Sequence, residues 1–377
     1  MEQAFAHKVK RVTGPDGRRL LTFGDDVIDL GRLRRIGIVA VGKAAPAMLQ
    51  AMLPSLQGLP ECDLSGLLIA NHRPDDLPLG FRFYAGGHPT PNEASIDGAK
   101  AAIELVRSLR DASGGKEETL CLFLLSGGGS AMMELPLDPK ISLEDLVEFY
   151  RELVHCGGSI AEINCVRKHF SAVKGGRLAL EAEGILNYSL LVSDVPSGSL
   201  DSLASGPTLP DTSTVDQCRE ILERYRLMER VPSAVKQFFL STQLPETPKA
   251  PQLDAHALTL LSSADLAMVV ERRAKDLGFY VVVDDTCDDW SYRAAAEYLL
   301  ERLRSLRRKH RRVCLISSGE VTVELPLKIL DSDCVETKER AGVGGRNQHF
   351  ALYAATLLRA SDESVAVLSA GTDGIDG

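Results

Sequence analysis

Residues 36–46, IGIVAVGKAAP, decide how this chain is read. Residues 36–41 form an apolar run without polar alternation, the pattern of a strand covered on both faces in a parallel sheet. Gly42 supplies the turn. Pro46 suits the first turn of a helix, where its missing N–H would be unpaired anyway. Lys43 is therefore held where a strand stops and a helix starts. In an open α/β sheet, the carboxyl end of a strand is where ligands bind. Four more apolar runs end in small or polar residues, at Leu125/Ser126, Val192/Ser193, Ile316/Ser317 and Ser369/Gly371. The five strand ends are read as edges of one site.

Working outward, strand signals recur at 66–70, 81–85, 120–125, 187–192, 280–283, 313–316, 321–325 and 364–368. Helical spacing predicts helices over 92–110, 143–156, 160–181, 263–277 and 292–308, with another starting near Arg346. Residues 1–35 read as a polar hairpin or irregular lead-in, with a turn signal at GPDG (14–17). Three prolines fall within 245–251 of the polar stretch 241–255, which marks a linker. Strands alternating with helices on both sides of it predict an α/β protein of two domains, 1–245 and 246–377. A weak echo joins LFLLSGGGSAMMELP (122–136) to LISSGEVTVELP (315–326), a likeness that two unrelated strand–turn units would also show.

The 377 residues exceed the size at which one core stops growing. Apolar residues make up 44% and charged residues 25%, as in soluble globular proteins. The net charge of -9 argues against nucleic-acid or anionic-membrane partners. No apolar run has membrane-spanning length, and the N-terminus lacks a signal-peptide core. The eight cysteines show no C-x-x-C pairing, which fits reduced thiols in a cytoplasmic protein rather than a zinc site. The oligomeric state is not legible.

Several residues carry candidate chemistry. Ser126, Gly127, Gly128, Gly129 and Ser130 follow an apolar strand, and such a loop brings backbone N–H groups close to anionic oxygens. A ligand-free tight turn is the alternative. The loop is neither a P-loop nor a G-x-G-x-x-G dinucleotide fingerprint. Over 163–178, a core stripe of Ile163, Val166, Phe170 and Val173 leaves Asn164, Arg167, Lys168, Ser171 and Lys174 on a neighbouring face. That face is either an anion cradle completed by Arg177 or a solvated basic surface. Gly175 and Gly176 interrupt the helix for a packing or ligand reason. Asp194 follows a strand and suits a Mg²⁺ ligand or a base, or else a turn cap. Glu320 is similarly placed. Arg346 and Asn347 follow three glycines at a helix start, where a guanidinium suits phosphate or carboxylate. Asp373 and Asp376 form a paired-acid loop that suits a metal or polar ligand. His88 is the one histidine in a loop of site-like composition, with a loop histidine of no catalytic role as the alternative.

Six motifs then stand in order: VGKAA (41–45), LSGGGS (125–130), INCVRKH (163–169) with KGGR (174–177), VSDVP (192–196) with SGPT (205–208), GGRN (344–347) and GTDG (371–374). From about residue 36 onward the chain resembles the two-domain glycerate 2-kinases, whose second domain is of the MOFRL type. The resemblance implies ATP- and Mg²⁺-dependent phosphorylation of D-glycerate to 2-phosphoglycerate. It implies a larger Rossmann-like, three-layer domain, a smaller α/β domain, and a site in the cleft between them. It points to Lys43 and Arg346 as the critical cations. Members of that family usually continue beyond GTDG, so the resemblance implies a chain truncated at its C-terminus. Related chains are also named hydroxypyruvate reductases, a reading that the missing dinucleotide fingerprint does not support. A non-catalytic sugar-acid sensor on the same fold is the remaining rival.

Overall fold

The computed structural model describes residues 1–59, 62–193, 197–241, 243–323 and 345–371. The chain divides into two compact units, Met1–Ser262 and Ser263–Gly377. The first opens with helix α1 (Glu2–Lys8) and an antiparallel sheet of β1 (Val9–Thr13), β2 (Arg19–Phe23) and β3 (Asp26–Asp29). Then come β4 (Arg35–Val41), α2 (Ala45–Leu56), β5 (Asp63–Ala70), β6 (Phe81–Ala85), α3 (Glu93–Asp111) and β7 (Thr119–Ser126). Helices α4 (Gly129–Met132), α5 (Leu143–Val154), α6 (Ile160–Phe170) and α7 (Arg177–Leu180) lead to β8 (Leu186–Ser193). Helices α8 (Val215–Arg224) and α9 (Ser233–Leu240) precede β9 (His256–Ser262).

Six strands form one parallel sheet in the order β6-β5-β4-β7-β8-β9. Connections run outward from β4 to β6, then return to β7 and run outward the other way. The strand order therefore reverses between β4 and β7, the position where doubly wound sheets open a crevice. Alternation along β4 sends Ile36, Ile38 and Ala40 to the face covered by Met48 and Leu49 of α2. Val39 and Val41 go to the face covered by Ala99, Ala102 and Val106 of α3. Every residue of β7 is buried, which explains its unbroken apolar run. A third core gathers Phe149, Tyr150, Phe170 and Phe239 from α5, α6 and α9.

The second unit contains α10 (Ser263–Asp276), β10 (Tyr280–Val283), α11 (Tyr292–Arg307), β11 (Val313–Ile316) and α12 (Arg346–Thr356) among its described residues. Strands β10 and β11 pair in parallel. No helix among the described residues is long and apolar enough to cross a membrane.

The structure departs from the sequence reading in three places. The compact division falls at Ser262/Ser263 rather than 245/246. The proline-rich stretch leads back into the first unit, burying Leu244 and Thr247, and then adds β9 to the sheet. The lead-in keeps the expected hairpin, with 14–17 as the turn between β1 and β2, and adds helix α1 and a third strand. The helix expected over 160–181 stops at Phe170. There the chain pairs with 135–137 instead: Leu137 N–H donates to Phe170 O at 2.9 Å, and Ala172 N–H to Leu135 O at 2.7 Å. Finally, 364–368 forms no strand.

Candidate active site

The ends of β4 and β7 are stitched together. Gly42 has a φ of +114°, and a Cβ there would lie 2.4 Å from Ser126 Oγ, so only glycine fits. Lys43 N–H donates to Gly127 O at 2.9 Å, and Ala44 N–H donates to Ser126 Oγ at 3.0 Å. These bonds fix Lys43, half-buried, at the switch point. Its Cγ lies 3.2 Å from where a Gly128 Cβ would stand, and His88 Cδ2 lies 3.1 Å from the same point. A side chain at Gly128 would be crowded between a lysine stem and an imidazole, so the glycine lets Lys43 and His88 approach the loop. At the far end of the loop, Ser130 Oγ is 2.8 Å from Ser205 Oγ, which donates to Asn164 Oδ1 at 3.0 Å. The fold therefore gathers Lys43, Ser126, Gly127, Gly128, Gly129 and Ser130, with His88 beside them.

The basic residues after this loop serve a different purpose from the open anion cradle expected of them. Lys168 Nζ donates to Asp201 at 2.6 Å and to Asp211 at 2.9 Å. Burial would raise the Asp211 carboxyl, but Lys168 and the hydroxyls of Ser213 and Thr247 hold it below the usual range. Lys174 Nζ donates to Glu134 Oε2 at 2.6 Å and to Met133 O at 3.1 Å, in a pair that is 1% and 0% exposed. Burial pulls the Lys174 ammonium below its ordinary range, against the opposing charge of Glu134. Tyr150 OH donates to the same Glu134 carboxylate, and burial pushes its pKa well up. Arg177 Nη2 donates to Pro245 O at 3.0 Å, and its pKa is lowered by burial. Lys168 and Lys174 are internal struts with charges already matched, whereas Arg177 meets a backbone carbonyl and its buried Nε has no partner. The glycine pair has a packing reason: a Cβ on Gly175 would lie 2.9 Å from Thr247 Cγ2, and one on Gly176 would lie 2.6 Å from Leu253 Cδ1.

In the second unit, Arg346 opens α12 after Gly345, and its Nη1 lies 2.5 Å from Glu320 Oε1. Asn347 Oδ1 accepts from Ser369 Oγ at 2.6 Å. Glu320, a candidate metal ligand, is thus tied to an arginine. Asp194, Asp373 and Asp376 lie outside the described residues. Among the described residues, no group of three or more His, Cys, Asp or Glu is placed to hold a metal.

Sequence reasoning gave no separate role to Arg167, Asn164 or Ser205. The signal was present for two of them, because Asn164 and Arg167 share the polar face of α6. Ser205 stood in the SGPT motif, but its contact with Asn164 left no signal, since it joins residues 41 positions apart.

Comparison with known proteins fits this geometry. Residues 2–240 match the family described as domain of unknown function DUF4147, and 313–377 match the MOFRL family. The D-glycerate 2-kinase of Thermotoga maritima is 35% identical over 351 residues, 92% of this chain and 76% of that protein. The chain belongs to the two-domain glycerate 2-kinase family. The glycerate 2-kinase of Pyrococcus horikoshii is 32% identical, over 91% of this chain and 73% of its own. A crystal structure of glycerate kinase from Thermotoga maritima superposes with a TM-score of 0.68 at 33% identity, covering 87% of this chain and 73% of that one. In this glycerate 2-kinase family member the two matched regions fall in different compact units, the first within Met1–Ser262 and the second within Ser263–Gly377.

Proposed function

We propose that this protein is an ATP-dependent phosphotransferase that moves a phosphoryl group onto the 2-hydroxyl of D-glycerate, forming 2-phosphoglycerate. One observation carries the reading. In a chain related to glycerate 2-kinases, a lysine is pinned against a glycine-lined loop at the topological switch point. ATP supplies the phosphoryl group, and Lys43 packs beside the side-chain-free Gly128 of the loop. Phosphoryl transfer needs mainly positioning and charge stabilisation. Lys43 supplies fixed positive charge, and the backbone of the 126–130 loop supplies N–H donors. Arg346 supplies a planar fork for carboxylate or phosphoryl oxygens, with Asn347 as a neutral donor.

Mg²⁺ belongs to this proposal as the companion of ATP. Asp194 is the first candidate to hold it or to take the hydroxyl proton, with Asp373 next. Glu320 is third, because the Arg346 ion pair competes for its carboxylate. The proposal includes a cytoplasmic location, where the eight thiols stay reduced.

The test incubates the purified protein with D-glycerate, hydroxypyruvate, ATP and NADH. Formation of 2-phosphoglycerate supports the kinase. Consumption of NADH with hydroxypyruvate would establish the reductase instead, and ligand binding without turnover would establish a sensor.

A further inference from the structure

We propose that Arg167, with Asn164 beside it, anchors the carboxylate of a small 2-hydroxy acid held against the 126–130 loop. This assignment rests on the kinase reading above and adds the group that recognises the acid.

The argument starts from charge. Arg167 is 8% exposed, and among the described residues no carboxylate stands at ion-pair distance from it. Its guanidinium lies 4.9 Å over the Tyr150 ring, which itself bonds Glu134. Glu134 is already matched by Lys174 at 2.6 Å. The buried cluster thus holds two cations and one carboxylate. A buried charge without a partner is strongly unfavourable, and a bound anion relieves it.

The hydrogen-bond pattern agrees. Arg167 Nε is buried with no partner, and Nη1 makes only a long contact of 3.5 Å with Asn164 Oδ1. Buried donors are ordinarily satisfied. A guanidinium with open donors matches the two oxygens of a carboxylate.

Position then ties Arg167 to the loop. Asn164 Oδ1 accepts from Ser205, and Ser205 meets Ser130 at 2.8 Å. Tyr150 OH also lies 3.3 Å from Ser130 O. Ala204 and Ser205 adopt φ values of 51° and 58°, successive left-handed conformations rare for residues other than glycine. Such strain persists where the surroundings impose it, and it clusters at ligand clamps. Lys43 packs against Gly128 early in the loop, whereas Ser205 meets Ser130 at its end. Phosphate oxygens suit the first position. The single unmatched positive charge near the second suits a monoanion.

The test is steady-state kinetics on the full chain, with D-glycerate and its uncharged amide as acceptors. Arg167→Met should raise the KM for D-glycerate by about thirtyfold, the scale of a charge-assisted hydrogen bond. The KM for ATP should stay within about twofold. Preference for D-glycerate over the amide should collapse by a similar factor. That ratio is internal to one preparation, so a partly unfolded sample does not mimic the result. If Arg167→Met fails to fold, Arg167→Lys keeps the charge, loses the fork, and should show a smaller loss in the same direction. An unchanged KM and preference would overturn the assignment, as would an effect on ATP alone. If the wild type proves not to phosphorylate D-glycerate, the kinase reading fails first. Calorimetric titration of D-glycerate without ATP then decides the anchor: binding lost in the variant supports it, and no binding to the wild type overturns it.

Discussion

Two ion pairs, one in each unit, show how differently the same chemistry can be used. Lys174 and Glu134 meet at 2.6 Å with 1% and 0% of their side chains exposed. Arg346 and Glu320 meet at 2.5 Å with 51% and 71% exposed. The first pair is locked: its ammonium also bonds Met133 O, and its carboxylate also bonds Tyr150. Water competes for every partner of the second pair. Exposed pairs contribute little to stability, whereas breaking a buried one strands a charge. A short distance therefore says nothing about whether a cation is available to a ligand. Exposure decides that, and by this criterion Arg346 is available and Lys174 is not.

The sharpest attempt to break this contrast removes Glu134. Glu134→Ala leaves Lys174 buried without its counter-ion and should cost about 3–5 kcal/mol of stability. Urea unfolding measures it, and an unchanged midpoint would show that the pair is not a strut. Lys43 lies between the extremes, half-buried at a strand end. Lys43→Ala should lower turnover at least about a hundredfold, ~2.7 kcal/mol of barrier, with little change in stability. Near-normal turnover would reduce Lys43 to a turn residue. Arg346→Lys keeps the charge but loses the planar fork. Catalytic efficiency should fall at least about tenfold, or ~1.4 kcal/mol, while the thermal midpoint stays put. Equal efficiency would remove Arg346 from the chemistry. The smallest effect belongs to Glu320→Gln, which should change stability by less than about 1 kcal/mol. A loss like that of Glu134→Ala would erase the distinction between the two pairs.

Much of the architecture was legible in the residues. Strands β4, β7 and β8 declared themselves because burial on both faces demands a continuous apolar run. Helix α3 did so through its spacing. Strand β9 did not, because HALTLLS lies half-exposed at the sheet edge and carries no strong period. The break in α6 was hidden because its cause is hydrogen bonding to residues 135–137, remote in sequence.

The candidate site divides along the same line. The residues of a strand-end turn follow from local pattern, so Lys43 and the 126–130 loop could be named from sequence alone. Which cations are free could not. Lys168, Lys174 and Arg167 share one basic stretch, yet the first two meet carboxylates 43 and 40 positions away and the third meets none among the described residues. Sequence by itself determined the doubly covered strands, their order of appearance and the glycine turns, because these depend on neighbours along the chain. Tertiary structure alone decided which charges are cancelled, because a counter-ion is chosen by packing across the fold and leaves no local trace.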